Sequence, residues 1–122
     1  MKLLLGFAGT GQSMRALEKT LDRVAETGDD LTVALFETPD GPDDVEEFYE
    51  VVEECCSDAG VDFDVRELSG DPGSSIVTLA EREGFDRIVM GGGTESPMGK
   101  IQLGPTTEFV LLNAQTTVTL VR

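Results

Sequence analysis

The chain of 122 residues has no histidine, no tryptophan and two cysteines, and its nine lysines and arginines face 24 aspartates and glutamates. Each shortage excludes something. Without histidine the commonest general base and the commonest metal ligand are missing. Ser-His-Asp and Cys-His mechanisms are thereby excluded, as are zinc sites built on imidazole. With so few bases the net charge is −15, and such a surface repels phosphate backbones, so no nucleic acid is expected as a partner. No apolar run approaches the length that spans a bilayer, so no membrane association is expected. The start, Met1-Lys2 and a short apolar run ending at Gly6, lacks the long apolar region of a signal peptide, and the expected location is cytoplasmic. Cys55 and Cys56 are adjacent, which makes a poor structural disulfide. On a helix they point about 100° apart, one toward a core and one nearer the surface.

What is present suffices for one folded domain spanning residues 1–122. Hydrophobic residues make up 39% of the chain, enough to build a core despite the charge. The charge is uneven. Between Glu37 and Asp58 there are ten acids and no base, whereas Gly91–Arg122 carries Glu95 and Glu108 against Lys100 and Arg122 and is neutral. Acids on outer faces with few lysines fit a halophilic protein, which stays hydrated where molar salt screens charge within about 3 Å. The alternative is an acidic tail or an acidic face for a partner.

Periodicity divides the chain into alternating strands and helices. Lys2–Phe7 is an apolar strand that opens into the turn Ala8-Gly9-Thr10-Gly11-Gln12-Ser13. Met14, Leu17, Leu21, Val24 and Ala25 then recur at helical spacing up to Gly28. Leu31–Phe36 is a second buried strand, and Glu37–Pro42 a loop. The helix Asp43–Ala59 has Val45, Phe48, Val52, Cys55 and Ala59 as its expected apolar stripe, with glutamates opposite. Val61–Leu68 alternates as a third strand. Gly70-Asp71-Pro72 supplies an N-cap and a first-turn proline for a helix that stops at Gly84. Phe85–Gly91 is a fourth strand, followed by a long loop to Gly104, a short helix through Phe109, Val110 and Leu112, and a β-branched strand over Thr116–Arg122. This order implies a three-layer α/β sandwich, a five-stranded, mainly parallel sheet with helices on both faces. Ligands of such sheets sit beyond the carboxyl ends of the strands. The turn after the first strand, the end of the second and the loop after the fourth are therefore the expected site.

Two glycine-rich stretches carry chemistry. Gly6 to Ser13 nearly matches a phosphate-binding P-loop, but Gln12 stands where the lysine belongs. A dinucleotide fingerprint fails at Met14, which occupies the third glycine's place. No acidic pair follows the first strand, which excludes a phosphoacceptor receiver. What remains is a tight turn whose free N–H groups at a helix start attract an anion. The second stretch runs from Gly91 to Thr107 and has the geometry for wrapping backbone N–H groups around phosphates, with Thr106 and Thr107 as hydroxyl donors and Lys100 as its cation. It equally fits an ordered loop that packs Met98, Ile101 and Leu103 against a partner.

Arg15-Ala16-Leu17-Glu18-Lys19, Gly70-Asp71-Pro72, Ile88-Val89-Met90-Gly91, Leu103-Gly104 and the closing Thr117–Arg122 together resemble the universal stress protein family along the full length. The resemblance implies a Rossmann-like fold of the adenine-nucleotide alpha-hydrolase type, homodimerisation through Thr117, Val118, Thr119, Leu120 and Val121, and in some members ATP or AMP binding. Nucleotide-binding members carry G-x-x-G, nine residues, then G-[ST]. Here those positions fall on Gly91, Thr94, Gly104 and Pro105. The family's acidic nucleoside contact falls at Ala8, and the position beside adenine at Phe36. Ala8, Gly9, Thr10, Phe36, Gly91, Gly92, Thr94, Gly104 and Thr106 are thus the candidate but degenerate nucleotide site. Pro105 has neither N–H nor hydroxyl, and Ala8 lacks an acceptor. The expectation is a non-enzymatic stress-response homodimer with a weakened or lost ATP site, without metal or certain cofactor. The alternatives are an ATP- or AMP-binding protein with slow ATPase or sensing activity, and an adaptor for a larger protein complex.

Overall fold

The computed structural model describes residues 1–39, 41–92, 94–95 and 101–122, of which 94–95 and 101–102 as backbone only. Lys2–Phe7 forms β1, Gly11–Thr27 α1, Asp30–Leu35 β2, Val45–Ala59 α2, Asp64–Glu67 β3, Pro72–Arg82 α3 and Arg87–Gly91 β4. Two short strands follow, β5 at Thr94–Glu95 and β6 at Ile101–Gln102, and then α4 at Pro105–Asn113 and β7 at Thr117–Val121. The main sheet is parallel throughout, in the order β3-β2-β1-β4-β7. The strand order reverses between β1 and β4, which are hydrogen-bonded neighbours.

Alternation along the central strands sorts the core into two layers. From β1, Leu3, Leu5 and Phe7 pack on one face with Leu17 and Leu21 of α1 and Phe48 and Val52 of α2. Leu4 and Ala8 point the other way, toward Ile76 and Ala80 of α3 and Val110 of α4. Burying each of these leucines contributes about 1.5–3 kcal/mol relative to exposure. The all-parallel, doubly covered sheet is the fold that the alternating pattern implies.

Four local expectations need correction. The stripe of α2 runs through Phe48, Val52 and Cys56, spaced by one turn, so the buried cysteine is Cys56 and not Cys55. Ala59, expected on that stripe, is exposed as the last residue of α2. Helix α1 begins at Gly11 rather than near Met14, because the Thr10 hydroxyl accepts the Ser13 N–H at 3.1 Å and caps it earlier. Strand β3 shortens to Asp64–Glu67 since it is an edge strand paired only with β2. Within the loop after β4, β5 and β6 pair antiparallel, a hairpin too short to leave a periodic signal. Helix α3 begins as expected, with Asp71 accepting the Ser74 N–H at 2.9 Å and Pro72 in the first turn.

Candidate functional site

Above the carboxyl ends of β1, β2 and β4 lies a cavity of about 430 Å³. Its floor is made where these strands end, from Gly6 and Ala8 of β1 and its turn, Phe36 after β2, and Met90 and Gly91 of β4. One wall is the start of α1, with Thr10, Gln12 and Ser13; the other is the start of α4, from Leu103 to Thr107. Thr38, Pro39 and Gly41 close the side next to β2.

The turn after β1 is held by its own hydroxyls. The Ala8 N–H donates to Ser13 Oγ at 3.0 Å, and the Thr10 hydroxyl donates to the same oxygen at 3.1 Å. Gly9 takes φ +72°, and a Cβ there would overlap the Phe48 ring of α2. Gly9 therefore faces α2 and does not line the cavity. A Cβ at Gly91 would overlap the backbone carbonyl of Gln12, so glycine is what lets β4 approach the first turn of α1. The Gly91 carbonyl accepts the Thr107 hydroxyl at 3.2 Å, and the Gly92 N–H donates to the Val121 carbonyl at 3.1 Å. These groups are used to join α4 and β7 to β4.

The start of α4 differs. Gly104 is its N-cap, is exposed, and would meet nothing within 4 Å if it carried a Cβ. No side chain caps the first turn, and Pro105 stands at its beginning without an N–H. The remaining first-turn N–H groups and the Thr106 hydroxyl border the cavity at the positive end of the helix dipole.

Of the candidate residues, the fold brings together Ala8, Thr10, Phe36, Gly91, Gly92, Gly104 and Thr106. Thr94 lies in β5, which is described as backbone only. Gly93, Met98 and Lys100 fall outside the described residues. Phe36 meets the cavity only as part of its apolar floor. It is buried with Ala8 and Met90 in the core beneath the cavity. Sequence reasoning missed Met90, Thr38, Pro39 and Gly41. The available signal was position, since Met90 sits at the carboxyl end of β4 and Thr38, Pro39 and Gly41 come after that of β2. Among the described lining residues none is ionisable, so the arrangement offers hydroxyls, backbone N–H groups and an apolar floor, but no general acid, general base or carboxylate ligand.

A doubly wound parallel domain with a cleft at the reversal of strand order is built for binding a ligand against strand ends and a helix start. The family model for the universal stress protein family matches residues 1–122, and the chain belongs to that family. Solved structures agree on the fold, which is of the adenine-nucleotide alpha-hydrolase-like type. A universal stress protein from Archaeoglobus fulgidus is 20% identical, with a TM-score of 0.81, over 100% of this chain and 98% of that one. The universal stress protein from Archaeoglobus fulgidus in complex with dAMP is 17% identical, with a TM-score of 0.75 over 100% and 98%. A family member from Arabidopsis thaliana with AMP bound is 17% identical, with a TM-score of 0.70 over 99% and 91%. No curated protein matches the sequence.

Proposed function

We propose that the protein is a non-enzymatic stress-response dimer whose cleft has lost most of its affinity for ATP. The carrying observation is the cavity lining, which among the described residues holds no ionisable side chain. Hydrolysis needs groups that position water and metal, Pro105 offers the phosphates neither an N–H nor a hydroxyl, and Ala8 offers the nucleoside no acceptor. Two missing hydrogen bonds to a charged ligand, each worth about 1.5–3 kcal/mol, weaken binding by roughly two to four powers of ten. Dimerisation is supported by β7, an open edge of the sheet, and by α4 beside it, which exposes Phe109, Leu111 and, at 75%, Leu112. Pairing β7 with its own copy would satisfy that edge and cover apolar surface.

The second reading is an adenine-nucleotide sensor. It is favoured by the open space at Gly104, which the fold itself does not require, and by the AMP and dAMP held in the two related structures. Calorimetric titration of ATP and AMP, with magnesium in molar KCl, separates the readings. The expected result is affinity no tighter than about 1 mM for ATP, a binding free energy near −4 kcal/mol. Micromolar affinity that Gly104→Val abolishes would establish the sensor instead.

A further inference from the structure

The main sheet ends in β7 on one side and β3 on the other, and β3 pairs only with β2. The Leu68 N–H, one residue past β3, donates to the Leu35 carbonyl at 3.0 Å. Main-chain groups alternate sides along a strand, so those of Asp64 and Arg66 also face β2. The N–H and C=O groups of Val65 and Glu67 therefore face outward. Among the described residues no strand pairs with them.

The same alternation sorts the side chains at this edge. Phe63 and Val65 pack on the side of the sheet that α1 and α2 cover. Arg66 points to the other side, where it donates two hydrogen bonds of 2.7 Å to the Glu83 carboxylate. On the α2 side, Tyr49 lies against Phe63 with ring centroids 6.4 Å apart, and is 42% exposed. Glu46 and Glu53 stand three residues before and four after Tyr49, so they flank it along the helix. Both are exposed, and neither has an ion pair among the described residues. Alternation brings Glu67 to this side as well. No lysine or arginine occurs from Glu37 to Val65. One face thus joins exposed aromatic surface, carboxylates without counter-charge and unpaired main-chain groups.

We infer that this face docks an extended, basic segment of a partner protein, which adds as a strand to β3 and lays an arginine or lysine across Tyr49. Strand addition satisfies the outward groups of Val65 and Glu67. A cation over an aromatic ring and between carboxylates is held by the ring quadrupole and by charge together. A second copy of this chain does not suit the edge, because it would set acid against acid in a chain of net charge −15. The face lies at the opposite edge of the sheet from β7 and shares no residue with the glycine-lined cavity. It stands whether or not that cavity binds a nucleotide.

Calorimetric titration with the capped peptide Arg-Val-Arg-Val-Arg-Val tests this, at the lowest KCl concentration that keeps the chain folded by circular dichroism. Saturable binding at one site per chain is expected, weakening as KCl is raised. The same peptide with glutamate for arginine should not bind. Tyr49→Ala should weaken binding about threefold or more, and Tyr49→Phe, which keeps the ring, should restore most of it. The double variant Glu46→Gln with Glu53→Gln should weaken binding about fivefold. Glu81→Gln with Glu108→Gln, an equal charge change on α3 and α4, should alter it less than twofold. If Tyr49→Ala does not fold, the two double variants carry the test. No saturable binding, or equal binding of the glutamate peptide, overturns the inference. So does an equal loss in the two double variants, since the net charge and not this face would then hold the peptide.

Discussion

Two glycines that look alike in the sequence have opposite reasons to be glycine. Gly91 is required by packing, because its Cα lies against the Gln12 carbonyl and any Cβ would overlap backbone. Gly104 has ordinary helix-entry backbone, φ −67° and ψ 160°, and open space around it. Gly91→Ala should therefore destabilise the fold by about 1–3 kcal/mol, the usual cost of forcing atoms into a packed site. Gly104→Ala should change stability by less than about 0.5 kcal/mol, as exposed substitutions do. Urea denaturation of both variants checks the contrast, and equal losses would refute it. The motif spacing could not separate these roles, because a glycine-rich pattern records where side chains are absent and not what fills the space.

Helix α2 shows how an element's register decides which of two neighbours matters. Cys56 follows Phe48 and Val52 into the core, while Cys55 is half-buried beside it. Burial, and then the neighbouring Cys55, push the Cys56 thiol up to about 11 from its usual 9.0. A raised thiol binds its proton in the folded state after the unfolded chain has released it. Its contribution is thus intact below pH 9 and falls as pH rises toward 11. The loss should be of order 2 kcal/mol across that window, from the relation of about 1.36 kcal/mol per pH unit. Urea midpoints between pH 8 and 11, compared with those of Cys56→Ala, measure it. An identical slope in the variant would assign the loss to other groups. The helix and its acidic outer face were legible from the spacing of Val45, Phe48 and Val52. The choice of Cys56 was not, because a drift of 100° per residue leaves either neighbour near the stripe until the packing surface is known.

At the scale of the whole molecule, a net charge of −15 opposes compaction and association unless salt screens it. The acids are densest from Glu37 to Asp58, and the stretch from Gly91 to Arg122 that contains the β7 edge is neutral. Sedimentation equilibrium over a KCl series should therefore find a dimer in molar salt, loosening to monomer as the Debye length grows from about 3 Å at 1 M to about 10 Å at 0.1 M. A monomer at 2 M KCl would overturn the proposed β7 pairing. No helix among the described residues is long and apolar enough to cross a membrane.

The sequence by itself determined the strand–helix alternation, the three stretches that meet at the cleft, and the absence of imidazole chemistry. These are properties of local spacing and composition, and physics reads them one segment at a time. Tertiary structure alone decided the rest. Only the parallel register turned Gly9 toward Phe48, sank Phe36 into the core and set Gly91 against Gln12. Only the packing of α2 beside β3 set Tyr49 against Phe63 on one face. Residues distant in sequence share no local signal, and their proximity is fixed by the packing of whole elements.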